Sequence, residues 1–61
     1  MIKYFNIEGE RYRAKVERNL VRWIDVWANG DWFRMIPPEF MSPWFIRQVL
    51  ESTPTREEPE A

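Results

Sequence analysis

Very few side chains in this sequence could do covalent or acid–base chemistry. The chain has no His and no Cys. That removes the commonest general base, the commonest metal ligand and the thiolate nucleophile together. The acids outside the C-terminal tail are Glu8, Glu10, Glu17, Asp25, Asp31, Glu39 and Glu51. Only Asp25 is expected inside a sheet face, and the Arg residues around it would keep it charged. It reads as an ion-pair anchor and not as a general acid. Ser42 and Ser52 have no imidazole to activate them. Two glycines, Gly9 and Gly30, are too few for a phosphate-cradling loop. The sequence therefore points away from catalysis, from a bound metal and from a cofactor.

The other chemistry on offer is recognition. Aromatic residues make up 16% of the chain, four of them Trp, and Arg is frequent beside them. Trp, Tyr and Arg dominate the energetic centres of protein interfaces. Aromatic rings interleaved with Arg are also what single-stranded bases stack on. The candidate binding residues are Tyr4, Arg11, Arg13, Trp23, Trp27, Trp32 and Arg34. A protein partner or a second copy of the chain is the first expectation, and single-stranded nucleic acid the alternative. The formal net charge of −1 weighs against bulk electrostatic attraction to nucleic acid or to membranes. An isolated Trp in a small domain is more often core than ligand site. The weight therefore rests on the face as a whole.

Those residues need a sheet to hold them. In Arg22–Ile36, two runs rich in β-branched and aromatic residues flank Asn29-Gly30. That dipeptide is the preferred centre of a type I′ hairpin turn, where both residues need φ > 0. A two-residue loop there pairs Trp27 with Trp32, Val26 with Phe33 and Asp25 with Arg34. Side chains alternate faces along a strand. Ile24, Val26, Phe33 and Met35 then share one face, and Trp23, Trp27 and Trp32 share the other with the Asp25/Arg34 pair.

Two strands are expected before this hairpin, at Ile2–Ile7 and Arg11–Glu17, joined through Glu8-Gly9. The link at Glu17-Arg18-Asn19 has two solutions. A two-residue loop would set Lys15 beside Arg22 and Arg13 beside Ile24. A three-residue loop with Asn19 left-handed pairs Val16 with Leu20 and Tyr12 with Ile24, and brings Arg11 to Asp25. The second keeps apolar with apolar and is the expectation. Pro37-Pro38 ends the fourth strand. Ser42-Pro43 reads as an N-cap and first helical residue. A helix from Pro43 to about Glu51 presents Phe45, Ile46, Val49 and Leu50 on one stripe.

The expected fold is α+β, mostly β: a four-stranded antiparallel meander with one C-terminal helix packed on one face. One short helix cannot cover both sheet faces. The sheet either curls toward a small barrel that swallows the Trp residues, or the Trp face meets another chain. Residues 1–51 form the domain, and the Ser/Thr/Pro/Glu-rich stretch 52–61 is expected to be a disordered acidic tail. No apolar run approaches a membrane span, and no signal-peptide pattern opens the chain. With no Cys, a cytoplasmic protein is the expectation.

Overall fold

A computed structural model describes residues 1–56 of the chain. Four strands, β1 (Ile2–Ile7), β2 (Glu10–Glu17), β3 (Leu20–Ala28) and β4 (Asp31–Arg34), form one open antiparallel sheet in the order β1-β2-β3-β4. A 3-10 turn at Pro38–Phe40 and the helix α1 (Pro43–Glu51) follow. This is the mostly-β α+β meander expected, and the sheet is not closed into a barrel.

Each of the three hairpins turns on two residues with positive φ: Glu8-Gly9 (49° and 82°), Arg18-Asn19 (51° and 62°) and Asn29-Gly30 (51° and 78°). Left-handed backbone at both central positions matches the right-handed twist of the flanking strands. Asn-Gly does this with little strain. Arg18 has a Cβ, and holding it left-handed opposes folding by about 1–2 kcal/mol.

The third hairpin takes the expected register, with Trp27 opposite Trp32 and Asp25 opposite Arg34; in the first, a two-residue turn sets Tyr4 opposite Arg13 and Phe5 opposite Tyr12. The second corrects the three-residue loop. Glu17 pairs with Leu20 and Val16 with Val21 around a two-residue turn, and then the register shifts, so that Lys15 faces Trp23 and Arg13 faces Asp25. Arg22 is the extra residue of a β-bulge. Its guanidinium swings out to Glu17, with Nε 3.0 Å from Oε1. The bulge removes the Lys15/Arg22 juxtaposition that made the two-residue loop look costly. With the two-residue turn Val21, not Leu20, lies opposite Val16: Val21 is buried and Leu20 is 53% exposed.

Phe5, Ile7, Tyr12, Ala14, Val21 and Ile24 from the sheet close on Val49 of α1. Phe45, Ile46 and Leu50 pack around this centre, which is the stripe read from the helical period. Ser42 caps the helix, its Oγ accepting from the Phe45 N–H at 3.2 Å. The other end is held from the sheet. Lys3 points into the core side and is buried there; its Nζ donates to the carbonyls of Val49 (2.9 Å) and Leu50 (3.1 Å). Burial pushes its pKa below the ordinary value. An ammonium at the C-terminal carbonyls of a helix also meets the negative end of its dipole. Among the described residues, no helix is long and apolar enough to cross a membrane.

The tail expected to be disordered begins at Ser52. Its Oγ donates to the Val49 carbonyl at 3.0 Å. Thr55 donates its N–H to the Tyr4 carbonyl at 2.7 Å. Residues 57–61 lie outside the described residues.

Candidate functional site

With α1 packed on one face of the sheet, the side chains of the other face are set by alternation along the strands. The register lays them out in rows. One row crosses all four strands as Tyr4, Arg13, Asp25 and Arg34. Trp23 lies on one side of it. On the other, Trp27 and Trp32 form a cross-strand pair beside the Asn29-Gly30 turn.

Asp25 is the hub. Its side chain is 4% exposed, and its two carboxylate oxygens each take one guanidinium: Oδ2 accepts from Arg13 Nε at 2.8 Å, and Oδ1 from Arg34 Nε at 2.5 Å. Burial pushes the carboxyl pKa up, but the hydrogen bonds from Arg34 and Arg13 outweigh it, and the group sits below the usual Asp value. Burial likewise opposes the charge on Arg13, while the bonds to Asp25 and the proximity of Tyr4 lift its pKa above the ordinary value. Asp25 is thereby held as the carboxylate between two guanidinium groups.

The guanidinium groups then serve as braces for the rings. Arg34 Cζ lies 4.2 Å from the centroid of Trp23, and Arg13 Cζ lies 4.6 Å from Trp32 and 6.0 Å from Trp23. Trp27 and Trp32 meet edge to face with centroids 5.1 Å apart, and Tyr4 meets Trp32 edge to face at 6.0 Å. Stacking and edge contacts of this kind add about 0.5–1.5 kcal/mol each beyond the area they bury. The three Trp residues are half-buried.

Six of the seven residues named from the sequence therefore form one continuous cluster: Tyr4, Arg13, Trp23, Trp27, Trp32 and Arg34. Arg11 is not beside Asp25, as the three-residue loop required. It pairs with Asn6 and reaches outward to the tail, donating to Thr55 Oγ1 at 2.6 Å and to the carbonyl of Arg56. Arg13 takes its place as the second guanidinium on Asp25; the two-residue turn supplies one position of this two-position shift and the bulge at Arg22 the other.

No family model matches the chain, and neither a curated protein nor a solved structure shows significant similarity to it.

Proposed function

We propose that the chain is a small, non-catalytic interaction module that binds a protein surface, its own second copy included, through the Trp/Arg face of the sheet. The observation that carries this reading is the self-braced aromatic cluster on the sheet face opposite α1. Interface energy concentrates in Trp, Tyr and Arg that are rigid before binding, because little side-chain entropy is left to lose. Here each Trp is locked by another ring or by a guanidinium, and the guanidinium groups are locked by Asp25.

The same bonds bear on the alternative partner. A single-stranded nucleic acid would need cations turned toward its phosphates. On this face Arg13 and Arg34 share one carboxylate, and Arg11 is drawn to Thr55 and the Arg56 carbonyl. The surface is richer in π-faces than in uncommitted charge, which favours a protein.

The test is a titration of the full chain with a short single-stranded oligonucleotide at two salt concentrations, read by Trp fluorescence. The protein reading expects little quenching at either. Quenching that weakens steeply with salt, with a slope of about −0.7 per phosphate contacted, would assign the face to nucleic acid.

A further inference from the structure

The ladder of β1 has a definite inner and outer side. Ile7 and Glu10 flank a two-residue turn, so they exchange both backbone bonds, and the pattern alternates from there. The far end has the same phase: Val16 N–H donates to the Met1 carbonyl at 2.9 Å, and the Met1 amino group donates back to the Val16 carbonyl at 3.3 Å. The N–H and C=O groups of Ile2, Tyr4 and Asn6 therefore point away from β2, along the outer edge of the sheet. An edge of this kind is a template for another extended chain.

Part of that template is in use. The chain leaves α1 at Ser52 and returns to the β1 edge, where Thr55 N–H bonds the Tyr4 carbonyl at 2.7 Å. Arg11 reaches to the same segment and grips it at two points, Thr55 Oγ1 and the Arg56 carbonyl. Its Nε is buried and has no acceptor among the described residues. Beside this contact lies a cleft of about 490 Å³ between the end of β1 with its turn (Asn6, Ile7, Glu8), α1 (Trp44, Gln48) and the segment that follows α1. Trp44 is exposed and forms part of the cleft wall.

We propose that the outer edge of β1 is a strand-addition site for an extended peptide of a partner protein, and that residues 53–56 are its occupant in cis. The chemistry of the occupant states what the site takes. It is an extended backbone whose N–H meets the Tyr4 carbonyl, with a Ser or Thr hydroxyl and the next carbonyl meeting Arg11. The Arg11 Nε adds one further donor for an acceptor on the incoming chain. The cis segment holds the edge closed against unrelated strands, since a tethered segment acts at about millimolar effective concentration. A partner strand must displace it. This surface is the backbone rim of the sheet; it adjoins the Trp/Arg face through Tyr4, whose carbonyl meets Thr55 while its ring meets Trp32, and amide shifts on β1 as against the Trp residues tell the two readings apart.

The test uses the full chain, isotope-labelled for amide NMR, and a blocked peptide Ser-Thr-Pro-Thr-Arg as probe. The variant Thr55→Pro removes the cis N–H and hydroxyl at an exposed position and leaves the sheet ladder alone. In Thr55→Pro the probe is expected to shift the amides of Ile2, Tyr4 and Asn6. The unaltered chain is expected to bind it about tenfold more weakly or worse. Replacing the probe's second Thr by Val, or adding Arg11→Met to the Thr55→Pro chain, is expected to weaken binding several-fold. Shifts confined to Trp23, Trp27 and Trp32, equal binding by both chains, or no shifts on β1 at millimolar probe would each overturn the proposal.

Discussion

Replacing Asp25 by Asn probes whether the Trp/Arg face is held together by a single carboxylate. The side chain keeps its shape and loses its charge. In the native chain two charge-assisted bonds converge on Asp25, 2.8 Å from Arg13 and 2.5 Å from Arg34. Such a bond contributes about 1.5–3 kcal/mol when its partners are shielded. Arg13 is 30% exposed and Arg34 58% exposed. The Arg34 bond is therefore discounted for solvent screening to about 1 kcal/mol or less. Asn can still accept one bond through its oxygen, but its amide nitrogen then faces the second guanidinium donor to donor. The net loss is about 2–3 kcal/mol, against a whole-domain stability of about 3–9 kcal/mol for a chain of this length. At about 4–8 °C per kcal/mol the melting temperature falls by roughly 8–24 °C.

The Asp25→Asn substitution also removes a titration. The Asp25 carboxyl has a lower pKa folded than unfolded. Its stabilisation is complete above the unfolded value of about 3.9 and is lost as pH falls through the folded value. Melting curves followed by Trp near-ultraviolet circular dichroism from about pH 7 to about pH 2 read both effects. The native chain should lose stability on the acid side, and Asp25→Asn should start lower and fall less steeply there. Glu17→Gln is the control. It removes the exposed Arg22 pair, where both side chains are about half in water, and should leave the melting temperature nearly unchanged. A melting temperature for Asp25→Asn within about 2 °C of native, with an identical acid limb, would refute the hub role.

Other substitutions test the frame. Arg18→Gly frees a left-handed position (φ 51°) from its Cβ and should stabilise the domain by about 0.5–1 kcal/mol after the added freedom of the unfolded chain is counted; thermal melting checks it, and destabilisation would contradict the turn assignment. Lys3→Met keeps the apolar stem and removes the two bonds to the last carbonyls of α1. It should cost about 1–3 kcal/mol in denaturant unfolding, with the loss of amide protection concentrated in the last turn of the helix. Leu50→Ala should cost about 2–5 kcal/mol and a change at Gln48 under about 0.5 kcal/mol. Equal effects of those two on chemical denaturation would mean the helix docks by another face.

Features that depend on local chemistry were legible in the sequence. Asn29-Gly30 specifies its turn, so the Trp27/Trp32 and Asp25/Arg34 pairs follow from counting outward. Ser42-Pro43 and the apolar spacing at Phe45, Ile46, Val49 and Leu50 specify the helix and its docking side. The link between β2 and β3 was not legible in the same way. A bulge changes the phase of a strand in mid-run, and period-2 counting assumes one phase throughout. The signal was present in Leu20-Val21-Arg22-Trp23-Ile24, where the apolar residues Val21 and Ile24 are three apart with a charge between them. Alternation along β1 puts Lys3 on the same side as Phe5 and Ile7 and says no more about it. Its destination, the carbonyls ending α1, is a contact across 46 residues for the Val49 bond, and alternation along one strand carries no information about it. The contacts of Thr55 with Tyr4 and Arg11 were hidden for the same reason.

The central claim, that the Trp/Arg face is a protein-binding surface, is tested most directly by sedimentation velocity of the full chain across a concentration series, native beside Trp23→Ala, at low and high salt. The native chain is expected to rise from its 7.5 kDa monomer mass toward a dimer with only modest salt dependence, and Trp23→Ala to stay monomeric while keeping its fold. A dimer that survives Trp23→Ala unchanged would contradict the claim. So would a native chain that stays monomeric at millimolar concentration while a single-stranded oligonucleotide quenches its Trp emission in a steeply salt-dependent way.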